Sequence, residues 1–372
     1  MWQDSTKVLA VTVAIFFFTS GLSGTFLPIY LRDSGLSTPE IIVVLFFTFI
    51  VIGLLPSVLL KATKHFERII SFGILFTLLF YVALIYVKDP ILLGLAYGLG
   101  IATFWPSFNL LMFRLSETSE RAVMISLLSV AIPSVTGIIS PAVGGFIIET
   151  FGFTTLFGGS ILLYLIAFLI SLNIRFKPEI QRFSIPRNKM FIIFLVSFVL
   201  FGFSESYWLA YPFFVYSLST TIINMGFVVS ASALLISAIT VGISKISDVK
   251  RTRVEFAIAS AVLYAFWYFL LTAISSMVEI VALSILSGFA GAFALSWFAY
   301  YGDCFERKHH ASILVMMEVG LMVGRILNLV PTYLFITNYY YSPYFIVLSI
   351  VSLLLIPLFA ILKRYVKDSQ NS

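Results

Sequence analysis

The chain alternates long apolar stretches with short polar connections. The apolar runs cover approximately residues 8–31, 39–60, 69–87, 91–113, 122–148, 154–174, 190–216, 223–243, 256–274, 279–302, 311–336 and 344–362. A helix needs about 20 consecutive apolar residues to cross the hydrocarbon of a bilayer. The pattern therefore predicts twelve transmembrane helices and an all-α integral membrane protein. A transmembrane barrel would instead show segments of about ten residues that alternate with a period of two, and these runs do neither. The first run exceeds the 7–15 apolar residues usual in a secretory signal, and eleven more follow it, so it reads as the first span.

Composition agrees with this picture. Hydrophobic residues make up 60% of the chain and charged residues 11%, a balance that a water-exposed surface does not tolerate. The net charge of +6 is informative through its placement. Alternate connections carry Lys61, Lys64 and Arg68; Arg114 and Arg121; Arg175, Lys177, Arg182, Arg187 and Lys189; Lys245, Lys250, Arg251 and Arg253; and Arg307 and Lys308. The termini add Lys7, Lys363, Arg364 and Lys367, while the opposite connections hold only Arg32 and Lys88. The positive-inside rule then puts both termini in the cytoplasm of a multi-pass protein of the cell membrane. The positive charge reports topology, and no soluble domain is available to present it to nucleic acid.

Chemistry that needs a cofactor or metal finds no signal. Cys304 is the single cysteine, which rules out an internal disulfide or a CxxC site, and His65, His309 and His310 lie at the cytoplasmic ends of helices. No Walker sequence, HExxH or paired nucleophile and base is present, so an enzyme is not expected.

The one long connection, RFKPEIQRFSIPRNK over residues 175–189, is basic, contains two prolines and falls near mid-chain. It divides the chain into a bundle over 1–174, a cytoplasmic linker over 175–189 and a second bundle over 190–372. The halves are faintly alike at an offset of about 180 to 190 residues. Leu36-Ser37-Thr38 after the first run matches Leu218-Ser219-Thr220 after the seventh, and GLGIATF around Gly100 resembles SGFAGAF around Gly291. Paired six-helix halves are the signature of transporters that open alternately to each side, with substrate at the interface near the bilayer midplane.

These features resemble the major facilitator superfamily over nearly the whole chain. FLPIYLRDSGLST (26–38) is similar to that family's first helix and first outer loop, and GLGIATFWPSFNLL (98–111) to its fourth helix. Ser140-Pro141-Ala142-Val143-Gly144-Gly145 resembles the GPxxGG helix-packing element of its fifth helix, with serine for the first glycine. The resemblance implies a major facilitator fold of two pseudo-symmetric six-helix bundles, working as a monomer, and that element is associated with exchangers. The family's first inner-loop motif is poorly kept in residues 60–68, where Lys64 replaces the aspartate. Its later counterpart over 244–253 retains Asp248 with Arg251 and Arg253, which the resemblance makes candidates for an inner gate.

Ionisable side chains inside hydrocarbon are costly and mark functional sites by default. Three stand well inside: Glu205 in the seventh run, and Glu318 and Arg325 in the eleventh. Glu318 and Arg325 share a helix face about 10 Å apart along the axis, with Asn328 one turn further on. Counted at about 1.5 Å per residue from the cytoplasmic ends, Glu205 lies roughly 24 Å deep and Arg325 roughly 21 Å. An ion pair between them is within reach. That pair reads either as a structural bridge or as part of a proton-coupling site. In the second case a carboxylate leaving water favours its neutral form and carries a proton as its exposure alternates. If Arg325 compensates Glu205, Glu318 is the freer carrier; if not, Glu205 is. Arg325 is also a candidate to hold an anionic substrate through its planar fork.

The first half carries no ionisable residue well inside. Its polar candidates are Ser23, which corresponds by the repeat to Glu205, and Asn109; Thr12 and Thr19 share the face of Ser23. Back-bonding within the helix is the competing reading for such hydroxyls. The aromatic residues Trp105, Tyr207, Trp208, Tyr211, Trp297, Tyr300 and Tyr301 sit on runs that line the central cavity in the resembled family, a lining suited to amphipathic solutes or sugar faces. Tyr339, Tyr340, Tyr341 and Tyr344 read as an interfacial belt. The expected function is a secondary transporter, a proton-coupled antiporter that exports an amphipathic small molecule. The alternatives are proton-coupled uptake of a sugar or organic acid, and a non-transporting receptor or scramblase on the same scaffold.

Overall fold

In hydrocarbon every backbone N–H and C=O must find a partner within its own segment, so continuous apolar runs fold as helices. The computed structural model of the chain describes residues 2–62, 65–115, 128, 131–176, 183–250 and 253–370. Among these residues the regular structure is helical, with no strand. The helices are α1 (Trp2–Gly24), α2 (Leu27–Asp33), α3 (Thr38–Ala62), α4 (Phe66–Tyr86), α5 (Pro90–Leu115), α6 (Ile132–Ser171), α7 (Lys189–Glu205), α8 (Ala210–Leu218), α9 (Ile222–Lys250), α10 (Arg253–Leu271), α11 (Met277–Asp303), α12 (His310–Pro331), α13 (Tyr341–Leu353) and α14 (Leu355–Gln370).

Ten stretches of the described residues are long and apolar enough to cross a bilayer, and Met277–Gly291 within α11 is a shorter apolar stretch. One of the ten, the 40-residue α6, consists of two arms. They meet at Gly152, whose φ of 81° and ψ of 170° interrupt the helix, a backbone state open to glycine and costly for a residue with a Cβ. The fifth and sixth apolar runs thus meet at a one-residue corner, where the sequence pattern predicted a separate turn. Ten stretches, one of them two-armed, stand against the twelve expected spans, and the start of the fifth run, over 122–127 and 129–130, lies outside the described residues.

The chain forms two compact units: Met1–Phe183 with Val215–Ala231, and Ser184–Phe214 with Ser232–Ser372. In the first, α1 packs on α6, α5 on α3 and α4, and α4 on α6. Its interior is strongly aromatic: Phe16 stacks on Phe104 at 3.8 Å, Tyr81 on Tyr164 at 5.5 Å, and Phe157 meets both Tyr30 and Tyr81. In the second unit, α7 packs on α12, α13 and α14, and α10 on α11, α13 and α14. Large apolar side chains such as Val58, Phe146, Phe151, Ile192 and Phe266 stand exposed on the outside, where lipid tails replace water as the surrounding medium.

The Ser140–Gly145 element performs a packing task. A Cβ on Gly144 would overlap the carbonyl of Leu22, and one on Gly145 would meet Ile222 O at 3.0 Å and Gly226 Cα at 3.4 Å. Pro141 distorts its own helix, and the Ala142 N–H one residue on donates to Ser230 Oγ at 2.9 Å. Two small-residue faces therefore bring α6 against α1 and against the start of α9, as small residues do between membrane helices.

Candidate functional site

In the second unit, glycines set the distance between α7 and α12. A Cβ on Gly202 would collide with the Leu321 backbone at 2.5–3.0 Å, and one on Gly324 would overlap Val199 O and the Phe203 N–H. This close approach carries Glu205, three residues after Gly202, to Arg325, the neighbour of Gly324. Arg325 Nε donates to Glu205 Oε1 at 2.9 Å and Nη2 donates to the same oxygen at 2.5 Å. Its remaining nitrogen, Nη1, lies 3.7 Å from Glu318 Oε2. Arg325 thus lies between two carboxylates. Both Glu318 and Arg325 are buried, while the Glu205 side chain is 28% exposed.

The backbone around Glu205 is as specific as its side chain. α7 ends at Glu205, and the chain stays non-helical through Ser206–Leu209 before α8 begins at Ala210. Pro212 favours the restart there, since proline lacks an N–H that the first turn of a helix does not need. The break leaves carbonyls without helical partners, and side chains from three other helices satisfy them. Asn328 Nδ2 donates to Phe203 O at 2.9 Å, Tyr268 Oη to Ser204 O at 2.5 Å, and Tyr344 Oη to Ser206 O at 3.1 Å. Tyr344 and Thr332 also reach Asn328 Oδ1, each at 2.9 Å. Glu205 sits at a helix C-terminus, where the macrodipole disfavours a negative charge, so the guanidinium compensates both the carboxylate and the dipole.

A cavity of about 180 Å³ opens beside Glu205. Phe201, Ser204, Tyr207 and Trp208 line it from α7 and the break, and Tyr264 and Tyr268 from α10. The Arg325 guanidinium lies 5.4 Å from the Trp208 ring centre. An apolar crevice shares Phe201, Ser204 and Tyr264 with it and continues between Ala257, Trp297 and Phe359.

Among the residues singled out from the sequence, the structure brings together Glu205, Glu318, Arg325, Tyr207 and Trp208. Asn328 lies in the same cluster as a fully buried brace for the helix break. Tyr211 packs against Trp267 and Tyr207. Trp297 and Tyr301 are buried against Phe198, with Tyr301 Oη donating to Ile313 O at 2.9 Å, and Tyr300 lies against Phe194.

In the first unit Ser23 is fully buried and donates to Thr19 O at 2.9 Å, and Thr12 and Thr19 bond back to Val8 O and Ile15 O in the same way. Trp105 is partly exposed against Phe17, and Asn109 is half-buried on α5. Asp248 lies in the last turn of α9 and Arg253 begins α10, but their side chains, and Arg251 altogether, lie outside the described residues.

Packing corrects one expectation and adds two residues. Tyr339 and Tyr340 are exposed as an interfacial belt requires, whereas Tyr344 is fully buried and bonded to Ser206 and Asn328. Tyr264 and Tyr268 were not singled out from the sequence. Their spacing of four residues places both rings on one face of α10, and that was the available signal.

Comparison with known proteins follows the same outline. A family model described as Major Facilitator Superfamily matches residues 9–188 and 193–372. An uncharacterised protein of Bacillus subtilis (strain 168), YqgE, is 26% identical over 181 residues, which cover 45% of this chain and 41% of that protein's length. Two crystal structures of the nucleoside transporter NupG superimpose with TM-scores of 0.75 and 0.72 at 14% identity. They cover 96% and 97% of this chain and 99% of each matched chain. At that identity the likeness is one of fold.

Proposed function

The chain belongs to the major facilitator superfamily, and from that premise we propose that it is a secondary transporter that moves a small amphipathic solute by alternating access, coupled to protons, in the direction of efflux. The proposed moving bodies are residues 1–174 and 190–372, joined by the basic segment 175–189, with both termini in the cytoplasm. The distribution of basic residues supports that orientation. The Ser140–Gly145 element, similar to one associated with exchangers, supports exchange of outgoing solute for incoming protons.

The observation that carries the coupling is the position of one guanidinium between two carboxylates. With both carboxylates ionised the cluster holds one negative charge in excess, and an uncompensated charge inside hydrocarbon is expensive. One bound proton makes the cluster neutral. Glu205 receives both short guanidinium bonds, and Glu318 is the more deeply buried and the more distant from Arg325. Glu318 is therefore the proton carrier, and Glu205 with Arg325 is the fixed pair. Access of Glu318 to one side and then to the other couples proton transfer to the rocking of the halves.

The test uses proteoliposomes given an imposed pH gradient, with labelled benzyltrimethylammonium and labelled uridine followed in parallel. Wild-type protein is expected to accumulate at least one of them in response to the gradient. Glu318→Gln is expected to abolish gradient-driven accumulation at wild-type levels of folded protein. Gradient-driven accumulation that survives in Glu318→Gln would sink the assignment. Uptake of a sugar-bearing solute is a second reading, favoured by the fold likeness to a nucleoside transporter. Uridine accumulation toward the acidic-outside interior, without cation flux, would select it.

A further inference from the structure

We infer that the cavity beside Glu205 binds a small organic monocation, and that this cation and a proton occupy the carboxylate cluster alternately. The inference rests on the transport reading above and adds the chemical class of its substrate.

Three observations lead to it. Both guanidinium bonds fall on Glu205 Oε1, and among the described residues Oε2 accepts none, although Glu205 lines the cavity. Apart from Ser204 the remaining wall is aromatic, with Phe201, Tyr207, Trp208, Tyr264 and Tyr268, and no basic side chain is among the lining residues. Ring faces within about 6 Å of a cation attract it through their quadrupole, and cages of such rings recognise quaternary ammonium groups. The volume of about 180 Å³ compares with the roughly 150 Å³ that accommodates benzene in an engineered protein cavity, so one ring with an ammonium head fits.

Charge selects among possible occupants. An anion would meet the free oxygen of Glu205 and add to the excess negative charge. A neutral solute would leave that excess unchanged. A monocation removes it, as a proton does, so either occupant alone neutralises the cluster and the second is then disfavoured. When the cation docks, the proton leaves the carboxyl group for water; when the proton returns, the cation loses its counter-charge and departs. The titratable and charged groups facing Glu205 are Arg325 and Glu318 from α12, Tyr264 and Tyr268 from α10, Tyr344 from α13 and its neighbour Tyr207. Within this set the two carboxylates are the groups that exchange the proton.

The experiment measures benzyltrimethylammonium binding by calorimetry on purified protein between pH 6 and pH 8.5, in buffers of different ionisation enthalpy. Wild-type affinity is expected to rise roughly tenfold per pH unit across the titration, with release of about one proton per cation bound. Glu205→Gln is expected to lose at least tenfold in affinity and Glu205→Asp to stay within about threefold. Tyr264→Leu, which keeps the carboxylate and removes one ring, is expected to lose about fivefold. It serves as the second variant if Glu205→Gln fails to fold. Binding that is independent of pH, or unchanged in both Glu205→Gln and Tyr264→Leu, would overturn the inference. So would binding of uridine with none of the cation. In that last case uridine accumulation that depends on Glu318 leaves the transport reading intact, so the two failures are distinguishable.

Discussion

Arg325 neutralises the charge of Glu205, approaches Glu318 and stacks near Trp208, so its loss is the most damaging single change in the cluster. Arg325→Met leaves two carboxylates without their cation in a buried site, and breaking such a pair costs about 3–5 kcal/mol. Thermal unfolding in detergent is expected to show a large fall in melting temperature, partly restored by Glu205→Gln in the same chain. Full additivity of the two losses would mean that the residues do not interact. At this scale the sequence supported a great deal. Charges inside an apolar run stand out, and counting depth along two helices matched Glu205 to Arg325 before any packing was known. The rings that complete the cavity were less visible. Helices surrounded by lipid are apolar on every face, so the pattern along α10 does not reveal which side turns toward Glu205. Tyr264 and Tyr268 therefore looked no different from the many aromatic residues that face outward.

Two packing relations between elements make further predictions. The first is the glycine contact between α7 and α12. Gly324→Val has no room against Val199 O and the Phe203 backbone, and it is expected to push the helices apart at a cost of about 1–3 kcal/mol for overpacking. Disruption of the Glu205–Arg325 geometry should accompany it, read as lost gradient-driven transport at retained expression. The second is the brace around the helix break. Tyr344→Phe removes the donor to Ser206 O and to Asn328 Oδ1, leaving buried acceptors short of partners at about 1–3 kcal/mol. Hydrogen exchange of the Ser206–Leu209 amides should accelerate relative to the rest of α7. Unchanged exchange would show that the break is held by other contacts. The start of α7 was legible in the seventh run, whereas the break at Ser206–Leu209 was not, because the expected span over 190–216 runs straight through it. The brace was not legible, because Tyr344 sits in a tyrosine-rich boundary segment and only the rotation of α13 turns it inward while Tyr339 and Tyr340 face out.

For the whole molecule, orientation in the bilayer is the property that the charge distribution argues most directly. With Cys304 replaced by serine, Tyr339→Cys is expected to react with a membrane-impermeant maleimide on intact cells, and Ser184→Cys only after permeabilisation. The opposite result would reverse the assigned topology. The sequence alone determined that this is a multi-pass helical protein with paired halves and a cluster of charge in the second half. Hydrophobic length and the cost of buried charge are properties of the chain itself, independent of how its helices pack. Tertiary structure decided the rest. It decided that Val215–Ala231 clusters with the first unit although it follows the basic linker, because small residues on α6 and at the start of α9 allow their backbones to meet. It decided which oxygen of Glu205 is left free and which rings surround it. Those outcomes depend on the rotation of each helix about its axis and on close contact between glycines, and neither leaves a period in a sequence that is apolar on every side.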